Sequence, residues 1–457
     1  MAAPIRASRN LITDYYDRLH AVIGRRVGDR APVTRPGRFA PGFALPELDS
    51  AVRDYFSVAT ATWGPLAEVG GHPVRLLDLT GNPGTNTTKT FASLLIVARA
   101  VEHIRRTGEP IMIFTPTSAN KGVALRDAVE RAITTGLVGA DQLRVVVLAP
   151  AGSREKFRSG RLSSDPELAR RNPVLLLEGT RPEQVKELAL AYVRREEVRP
   201  GSPRLWFTLD LDNYVVADAA RAFVEHEVDP ARGGRWHAHA VSSAYGLLGY
   251  TAGRELLEST GQASVADRPG FLLVQHLGAP DMVLSLLHGD HDPANLPAYR
   301  LDPESGHHVQ DTDPHFPLST EDTAEVLEPT FYTRRPITSA TMDPLVRRFG
   351  GTGIVVSRRE CVGRYAMIRD ALTAAGRPMP EDHRELREWS LVMAMTGVLN
   401  AIERKLVPAG TEVVLHASGT YSTADFLPIE PAALTRVADL DGIAAAVNAA
   451  LDAPAGR

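Results

Sequence analysis

Short apolar runs alternate with longer segments of helical period along most of the chain. The runs are rich in β-branched and aliphatic residues, as in VRLLDL at 74–79 and LRVVVLAP at 143–150. The first run is followed by apolar residues at helical spacing over 91–106. Strands that alternate with helices in this way build a parallel sheet covered by helices. The pattern therefore predicts an α/β protein.

The alternation continues towards the end of the chain, and no internal repeat interrupts it. Further strands are predicted at 110–116, 172–179, 204–209, 234–243, 271–277, 351–357 and 411–419. Further helices are predicted at 122–135, 182–196, 217–227, 247–259, 281–288 and 386–406.

Length and local composition suggest how the chain is divided. At 457 residues it exceeds the size that one hydrophobic core usually serves, so two domains are expected. Pro and Gly cluster at 30–46, and we expect the folded body to start near there. The expected segments are a helical or irregular lead-in at 1–70, the first part of the α/β body at 71–240 with a small domain at about 110–170, and the second part at 241–457 with a lid-like insertion at 290–330.

Composition narrows the classes of partner. Lys and Arg number 51 against 55 Asp and Glu, so the chain lacks the broad positive field that nucleic acid or an anionic membrane would require. It has no apolar stretch of signal-peptide or membrane-helix length, which predicts a cytoplasmic protein. The single cysteine, Cys361, cannot form an internal disulfide and is interpreted as structural. A small-molecule partner is expected.

Four junctions, at each of which a predicted strand runs into a loop or turn, hold the residues best suited to chemistry. The first, TGNPGTNTTKT at 80–90, places Lys89 where a long helix starts. Backbone N–H groups there favour anions, and an apolar pocket would lower the pKa of a lysine enough to keep it nucleophilic. Taken alone, the segment is more simply explained by a solvated lysine.

The other three junctions contain small or hydroxyl-bearing residues. TSANKG at 117–122 includes Asn120, which can both donate and accept hydrogen bonds. SSAYG at 242–246 suits a phosphate cradle made of N–H groups and hydroxyls. The last junction ends a strand with Ser418 and Gly419. Each of these signals, taken alone, also fits an ordinary turn or helix cap.

In this order the four junctions resemble the motifs of fold type II pyridoxal-phosphate enzymes, and of threonine synthase in particular. VLLLEGTRPEQVKEL, FTLDLDNYVVADAARAF and ITSATMDPLVRRF also resemble stretches of that family. The resemblance runs from about Leu76 to about Ser422. It implies two domains, each a mostly parallel twisted sheet flanked by helices, and it implies pyridoxal 5′-phosphate as the cofactor.

The resemblance also implies a role for each junction. Lys89 would carry the cofactor as a Schiff base and act as the general base. Asn120, with Ser118 close by, would contact the phenolic oxygen of the cofactor. Ser418 would meet the pyridine nitrogen. The residues implied at the phosphate are Ser242, Ser243, Ala244, Tyr245 and Gly246.

Three departures from the family pattern bear on the substrate rather than on the cofactor. Thr90 follows the lysine where the family has an aspartate, so a carboxylate is lost there. Ala244 and Tyr245 replace a Gly-Asn pair in the phosphate loop. Ala340 stands in place of a proline in the stretch ITSATMD.

These observations predict a pyridoxal-phosphate-dependent lyase or transferase that performs β- or γ-elimination or replacement on an amino acid. The altered loops suit specialised metabolism, and the resembled family makes a homodimer the expected assembly. One alternative is a protein of the same fold that has lost catalysis and binds a metabolite or a partner. Another is an unrelated nucleotide-binding enzyme, which the lack of a G-x-G-x-x-G or Walker lysine motif disfavours.

Histidine-rich stretches do not change this interpretation. His307, His308 and His315 have no compact zinc spacing, so no metal site is predicted. His237 and His239 lie on one face of a predicted strand, where buried or capped histidines are more common than ligands.

Overall fold

The computed structural model describes residues 6–28, 30–35, 38–179, 183–195 and 202–453. The chain divides into two compact units, each built from three segments. The first unit comprises Met1–Arg9, Thr60–Gly81 and Asp218–Ala424. The second unit comprises Asn10–Ala59, Asn82–Ala217 and Asp425–Arg457.

The strands of the described residues are numbered in chain order. They are β1 (Ala7–Asn10), β2 (Val33–Arg35), β3 (Arg38–Ala40), β4 (Thr60–Val69), β5 (His72–Asp78), β6 (Ile111–Pro116), β7 (Leu143–Pro150), β8 (Val174–Leu177), β9 (Arg204–Phe207), β10 (Arg235–Ala240), β11 (Gly270–His276), β12 (Arg300–Leu301), β13 (His308–Val309), β14 (Ser319–Thr320), β15 (Gly351–Val356), β16 (Leu386–Glu388), β17 (Glu412–Ala417), β18 (Tyr421–Ser422) and β19 (Leu434–Val437).

The α-helices are numbered in the same way. They are α1 (Tyr16–Arg26), α2 (Ser50–Tyr55), α3 (Lys89–Thr107), α4 (Asn120–Thr134), α5 (Arg161–Ser164), α6 (Pro166–Arg171), α7 (Gln184–Arg195), α8 (Asp212–Asp218), α9 (Ala220–Val228), α10 (Tyr245–Ser259), α11 (Asp281–His288), α12 (Ser339–Phe349), α13 (Arg358–Ala374), α14 (Ser390–Glu403) and α15 (Leu440–Asp452).

The first unit contains a seven-stranded sheet in the order β1-β4-β5-β17-β10-β11-β15. From β5 to β15 neighbouring strands pair in parallel, whereas β4 pairs antiparallel with β5. All seven residues of β11 are buried, as expected for a parallel strand covered on both faces. Helix α14 packs on β11 through Gly397, where a Cβ atom would come within 2.6 Å of the side chain of Val274.

The second unit contains another seven-stranded sheet, in the order β19-β8-β7-β6-β9-β3-β2. Its neighbouring strands pair in parallel, except for the antiparallel pair β2 and β3. The apolar side chains of β6, β7 and β8 pack against those of α7 and α15 and form one core cluster. Both sheets confirm the predicted α/β architecture of mostly parallel sheets flanked by helices.

Three local expectations need comment. The helix expected at 386–406 begins only at Ser390, because Leu386–Glu388 forms β16 and pairs with β18. Ordered structure starts before the stretch at 30–46, since β1 belongs to the first unit's large sheet and Leu11 is fully buried. The insertion at 290–330 holds three short antiparallel strands, β12 to β14, and its role as a lid stays a prediction.

Candidate functional site

The loop that precedes Lys89 is held by its own polar side chains. In the second unit, the side chain of Asn82 accepts a hydrogen bond from the backbone N–H of Gly84 at 2.9 Å and donates one to Asp127 at 2.9 Å. The hydroxyls of Thr85 and Thr90 lie 2.5 Å apart. The small and hydroxyl-bearing residues of this loop thus fix its shape before α3 begins.

Lys89 is the first residue of α3 and is partly buried. Its Nζ atom lies 5.6 Å from the centre of the Tyr214 ring, within the range of a cation–π contact. The neighbours Thr88 and Thr90 are buried. The side chain predicted to react therefore lies beside an aromatic ring and is only partly exposed to solvent.

A second lysine lies in the same unit, on the first turn of α4. Lys121 donates a hydrogen bond from Nζ to the backbone carbonyl of Thr208. Burial, together with repulsion from Lys89 and Lys186, lowers the pKa of Lys121 to about 7. The motif TSANKG alone does not single out Lys121, because the pKa of this lysine depends on burial and on contacts that local sequence does not reveal.

Ser118 and Asn120 lie at the turn between β6 and α4, also in the second unit. The hydroxyl of Thr117 accepts hydrogen bonds from the backbone N–H groups of Ala119 and Gly122, both at 3.2 Å, and so closes the turn. Asn120 is buried at the start of α4, and Ser118 is partly buried. The structure thus brings Ser118, Asn120 and Lys121 onto one turn.

The predicted phosphate-binding turn lies in the first unit, between β10 and α10. Ser242 donates a hydrogen bond to the hydroxyl of Thr333 at 2.8 Å, and Ser243 donates one to the same atom at 3.4 Å. Thr338 donates to the backbone carbonyl of Ser243 at 2.8 Å. Ala244 has φ +49°, a left-handed conformation that costs a residue with a Cβ about 1–2 kcal/mol. Backbone strain of this kind is typical of ligand-binding turns.

Tyr245 and Gly246 are the first two residues of α10. Burial raises the pKa of the Tyr245 hydroxyl, and a hydrogen bond with Ser243 opposes that rise. Gly246 has no room for a side chain, since a Cβ atom would lie 2.7 Å from the Arg221 guanidinium. Sequence reasoning missed Thr333 and Arg221, which are distant in the chain from the turn that they contact.

Ser418 follows β17 in the first unit and is 7% exposed. Its hydroxyl is buried and has no hydrogen-bond partner among the described residues. A buried polar atom without a partner costs about 1–3 kcal/mol, so native structures rarely keep one without a reason. The Ser418 hydroxyl is therefore suited to a ligand atom that would complete its hydrogen bonding.

Comparison with protein families gives one match. The model of a family described as a family of unknown function, DUF6002, matches residues 7–451. The chain belongs to DUF6002. Among curated proteins, none matches the sequence of this DUF6002 member.

Several solved structures are similar to this DUF6002 protein. A threonine synthase with bound PLP from Brucella melitensis is 13% identical, with a TM-score of 0.48, over 85% of this chain and 80% of that one. A cysteine synthase from Entamoeba histolytica is 15% identical, with a TM-score of 0.45, over 84% and 91%. A hydrogen sulfide-producing enzyme from Fusobacterium nucleatum is 12% identical, with a TM-score of 0.44, over 80% and 96%. Threonine synthase, which the motifs resemble, is thus among the similar structures.

The residues of this DUF6002 protein fit the chemical groups of pyridoxal phosphate. The second unit supplies a partly buried lysine amine and a buried amide, at Lys89 and Asn120. The first unit supplies a strained hydroxyl-rich turn and the buried hydroxyl of Ser418. The described residues contain no group of three or more His, Cys, Asp or Glu that could hold a metal ion. Among the helices described, none is long and apolar enough to cross a membrane.

Proposed function

We propose that this protein binds pyridoxal 5′-phosphate on Lys89 and performs elimination or replacement chemistry on an amino acid. The observation that best supports the proposal is the partnerless buried hydroxyl of Ser418. It stands at the end of β17, where the resemblance to threonine synthase expects the partner of the pyridine nitrogen.

The cofactor, when bound, supplies an electron sink for the bonds of the substrate's α-carbon. Lys89 would hold it covalently through Nζ and later accept the α-proton at the same atom. Asn120 would donate a hydrogen bond to the phenolic oxygen. A serine hydroxyl is a neutral partner for the ring nitrogen, which suits elimination and replacement better than transamination.

Lys121 interacts electrostatically with Lys89 within the second unit. Repulsion between the two lysines contributes to the lowered pKa of Lys121, and a charge interaction acts on both partners. The two lysine side chains of the second unit are therefore close enough for their charges to interact. Because the pKa of Lys121 is about 7, Lys121 gains or loses its proton near neutral pH, and the repulsion between the two lysines changes with it.

Chemical trapping tests the proposal at the level of one atom. The purified protein is incubated with pyridoxal phosphate, reduced with borohydride and digested, and mass spectrometry locates the modified lysine. We expect the label on Lys89, loss of the label in Lys89→Ala, and its retention in Lys121→Ala, the matched control. Labelling of Lys121 alone in the wild type, or of scattered surface lysines, would overturn the assignment.

Turnover separates an enzyme from a binding protein. O-phosphohomoserine, O-acetylserine, serine and threonine are each supplied to the protein loaded with the cofactor, with and without a thiol nucleophile. We expect an α-keto acid or a replaced amino acid from at least one of them, and none from Lys89→Ala. Specific labelling of Lys89 without any product would favour the non-catalytic binding protein instead.

A further inference from the structure

The first unit buries a set of ionisable side chains that the proposed chemistry does not use. They come from α9, β10, α10 and β17, and each is at most 1% exposed: Arg221, Glu225, His237, Tyr250 and His416. Burying charged or polar groups is costly unless they are paired and hydrogen-bonded. Such a network is therefore a candidate for a specific role.

The hydrogen bonds of this network run in one direction. Arg221 lies 3.0 Å from Nδ1 of His416, and because a guanidinium can only donate, Nδ1 must accept. The proton of the neutral His416 ring is then on Nε2, which lies 2.7 Å from Nδ1 of His237 and donates to it.

His237 must in turn carry its own proton on Nε2, which lies 3.1 Å from Oε1 of Glu225. Arg221 thus donates to His416, His416 donates to His237, and His237 donates to Glu225. No other placement of protons satisfies all three contacts.

Both ends of this hydrogen-bond network are fixed by further contacts. Arg221 forms an ion pair with Asp218 at 2.6 Å. Glu225 accepts hydrogen bonds from Arg235 at 2.8 Å and from the hydroxyl of Tyr250. Burial raises the pKa of Glu225, but the hydrogen bonds from His237 and Tyr250 and the charge of Arg235 outweigh that effect and lower it, so the acceptor is a carboxylate.

The network contacts both segments of the first unit that are proposed to face the cofactor. The Arg221 guanidinium lies against Gly246, the last residue of the phosphate turn, closely enough that a Cβ atom there would be 2.7 Å from it. His416 lies on β17 two residues before Ser418, which directly follows the strand. One set of hydrogen bonds therefore braces the helix that starts at the turn and the strand that directly precedes Ser418.

We propose that His416 is a positioning residue: by linking Arg221 to His237 and Glu225, it holds Gly246 and Ser418 in the arrangement that the phosphate and ring nitrogen of pyridoxal phosphate require. The inference rests on the proposed function. His416 itself does not touch the cofactor in this scheme. It acts through the guanidinium of Arg221 and through the backbone of β17.

Two substitutions at one position test this. In His416→Gln the amide oxygen can accept from Arg221 and the amide N–H can donate to His237, which preserves the direction of both hydrogen bonds. In His416→Leu both contacts are lost. We expect the leucine variant to bind pyridoxal phosphate about 10- to 100-fold more weakly, the size of a lost hydrogen bond to a charged group, and the glutamine variant to stay within about threefold of wild type.

The readouts are the dissociation constant of pyridoxal phosphate, from absorbance titration, and the inhibition constant of inorganic phosphate as a competitor. Leu415→Ala, a buried change at the neighbouring position of β17, controls for a general loss of stability and should leave both constants near wild type. If His416→Leu does not fold, His416→Asn takes its place, because its shorter amide can accept from Arg221 but cannot reach His237.

Equal affinities in the glutamine variant and in the leucine or asparagine variant would overturn the positioning role while leaving the proposed function intact. A leucine variant no weaker than Leu415→Ala would overturn it as well. Failure of the wild-type protein to bind pyridoxal phosphate at all would overturn both proposals. Weak binding that the glutamine variant restores supports the role of His416.

Discussion

Lys121 allows the cost of a buried positive charge in the second unit to be measured. The pKa of this lysine falls from an ordinary value of 10.5 to about 7. Each pKa unit is worth about 1.4 kcal/mol of difference between the charged and neutral states, so the fall corresponds to about 5 kcal/mol. Lys121→Met keeps most of the length of the side chain and removes the charge. The substitution also removes the hydrogen bond to the Thr208 carbonyl, and this loss lowers the stabilisation by about 1–2 kcal/mol.

The sign of the effect follows from proton binding. Below about pH 7 the amine is charged in both the folded and the unfolded chain, so the folded state bears the full cost there. Between about pH 7 and pH 10.5 the unfolded chain binds more protons than the folded one, and the free energy of unfolding rises with pH. Above that range the amine is neutral in both states and the cost is gone.

Lys121→Met should therefore be more stable than wild type by about 3 kcal/mol near pH 6, with the advantage shrinking by about pH 9. Urea denaturation followed by circular dichroism across this range measures the difference. Lys405→Met, which removes an exposed lysine of the first unit, is the matched control for the loss of one positive charge. A difference between Lys121→Met and wild type that stays constant with pH would refute the reasoning.

Three other outcomes follow from burial and packing. The pKa of Glu225 is lowered from 4.5 to about 2, so its contribution to stability is present above pH 4.5 and is lost as pH falls towards 2. Glu225→Gln should therefore lower the free energy of unfolding by about 3 kcal/mol at neutral pH. In urea denaturation, the stability of this variant should also fall less between pH 4.5 and pH 2 than that of wild type. Gly397→Ala should lower the free energy of unfolding by about 1–3 kcal/mol in thermal melts, because its Cβ atom would meet the side chain of Val274. Gly363→Ala is the control and should not lower stability, since its Cβ atom would meet no described atom within 4 Å. Cys361 is fully buried, and burial raises its thiol pKa, so iodoacetamide should modify it only after unfolding; rapid modification of the native protein would contradict this.

The architecture could be predicted because burial leaves a local trace in the sequence. Parallel strands covered on both faces are apolar throughout, as β11 is, and the helices between them keep one apolar side. The bounds of α11 were predictable because Pro280 precedes it and Gly289, with φ +83°, ends it. The start of α14 was not, since Leu386–Glu388 pairs with a strand more than 30 residues away. The division into two units of three segments each also depends on contacts far apart in the chain.

The candidate site was only partly predictable, for a related reason. Lys89, Asn120 and Ser418 each follow a predicted strand, so their positions could be inferred from local pattern and resemblance. The partners that give them their properties come from elsewhere. Thr333 is 91 residues from Ser242, with which it shares a hydrogen bond, and Thr208 is 87 residues from Lys121. Burial and these distant contacts set a pKa or an orientation, and neither is encoded at the motif itself.

For the histidines of β10, the sequence predicts burial but not which ring nitrogen carries the proton. Their alternation in RWHAHA predicts that His237 and His239 share a face and are buried, and the structure places both in the interior. The alternation cannot say which ring nitrogen of His237 carries the proton. That proton is fixed by Arg221, acting through His416, which is 179 residues away in the chain. With an acceptor in place of Arg221, His416 would donate from Nδ1 and accept at Nε2 from His237, so the direction of the bond between the two histidines depends on the assembled contacts and not on the motif.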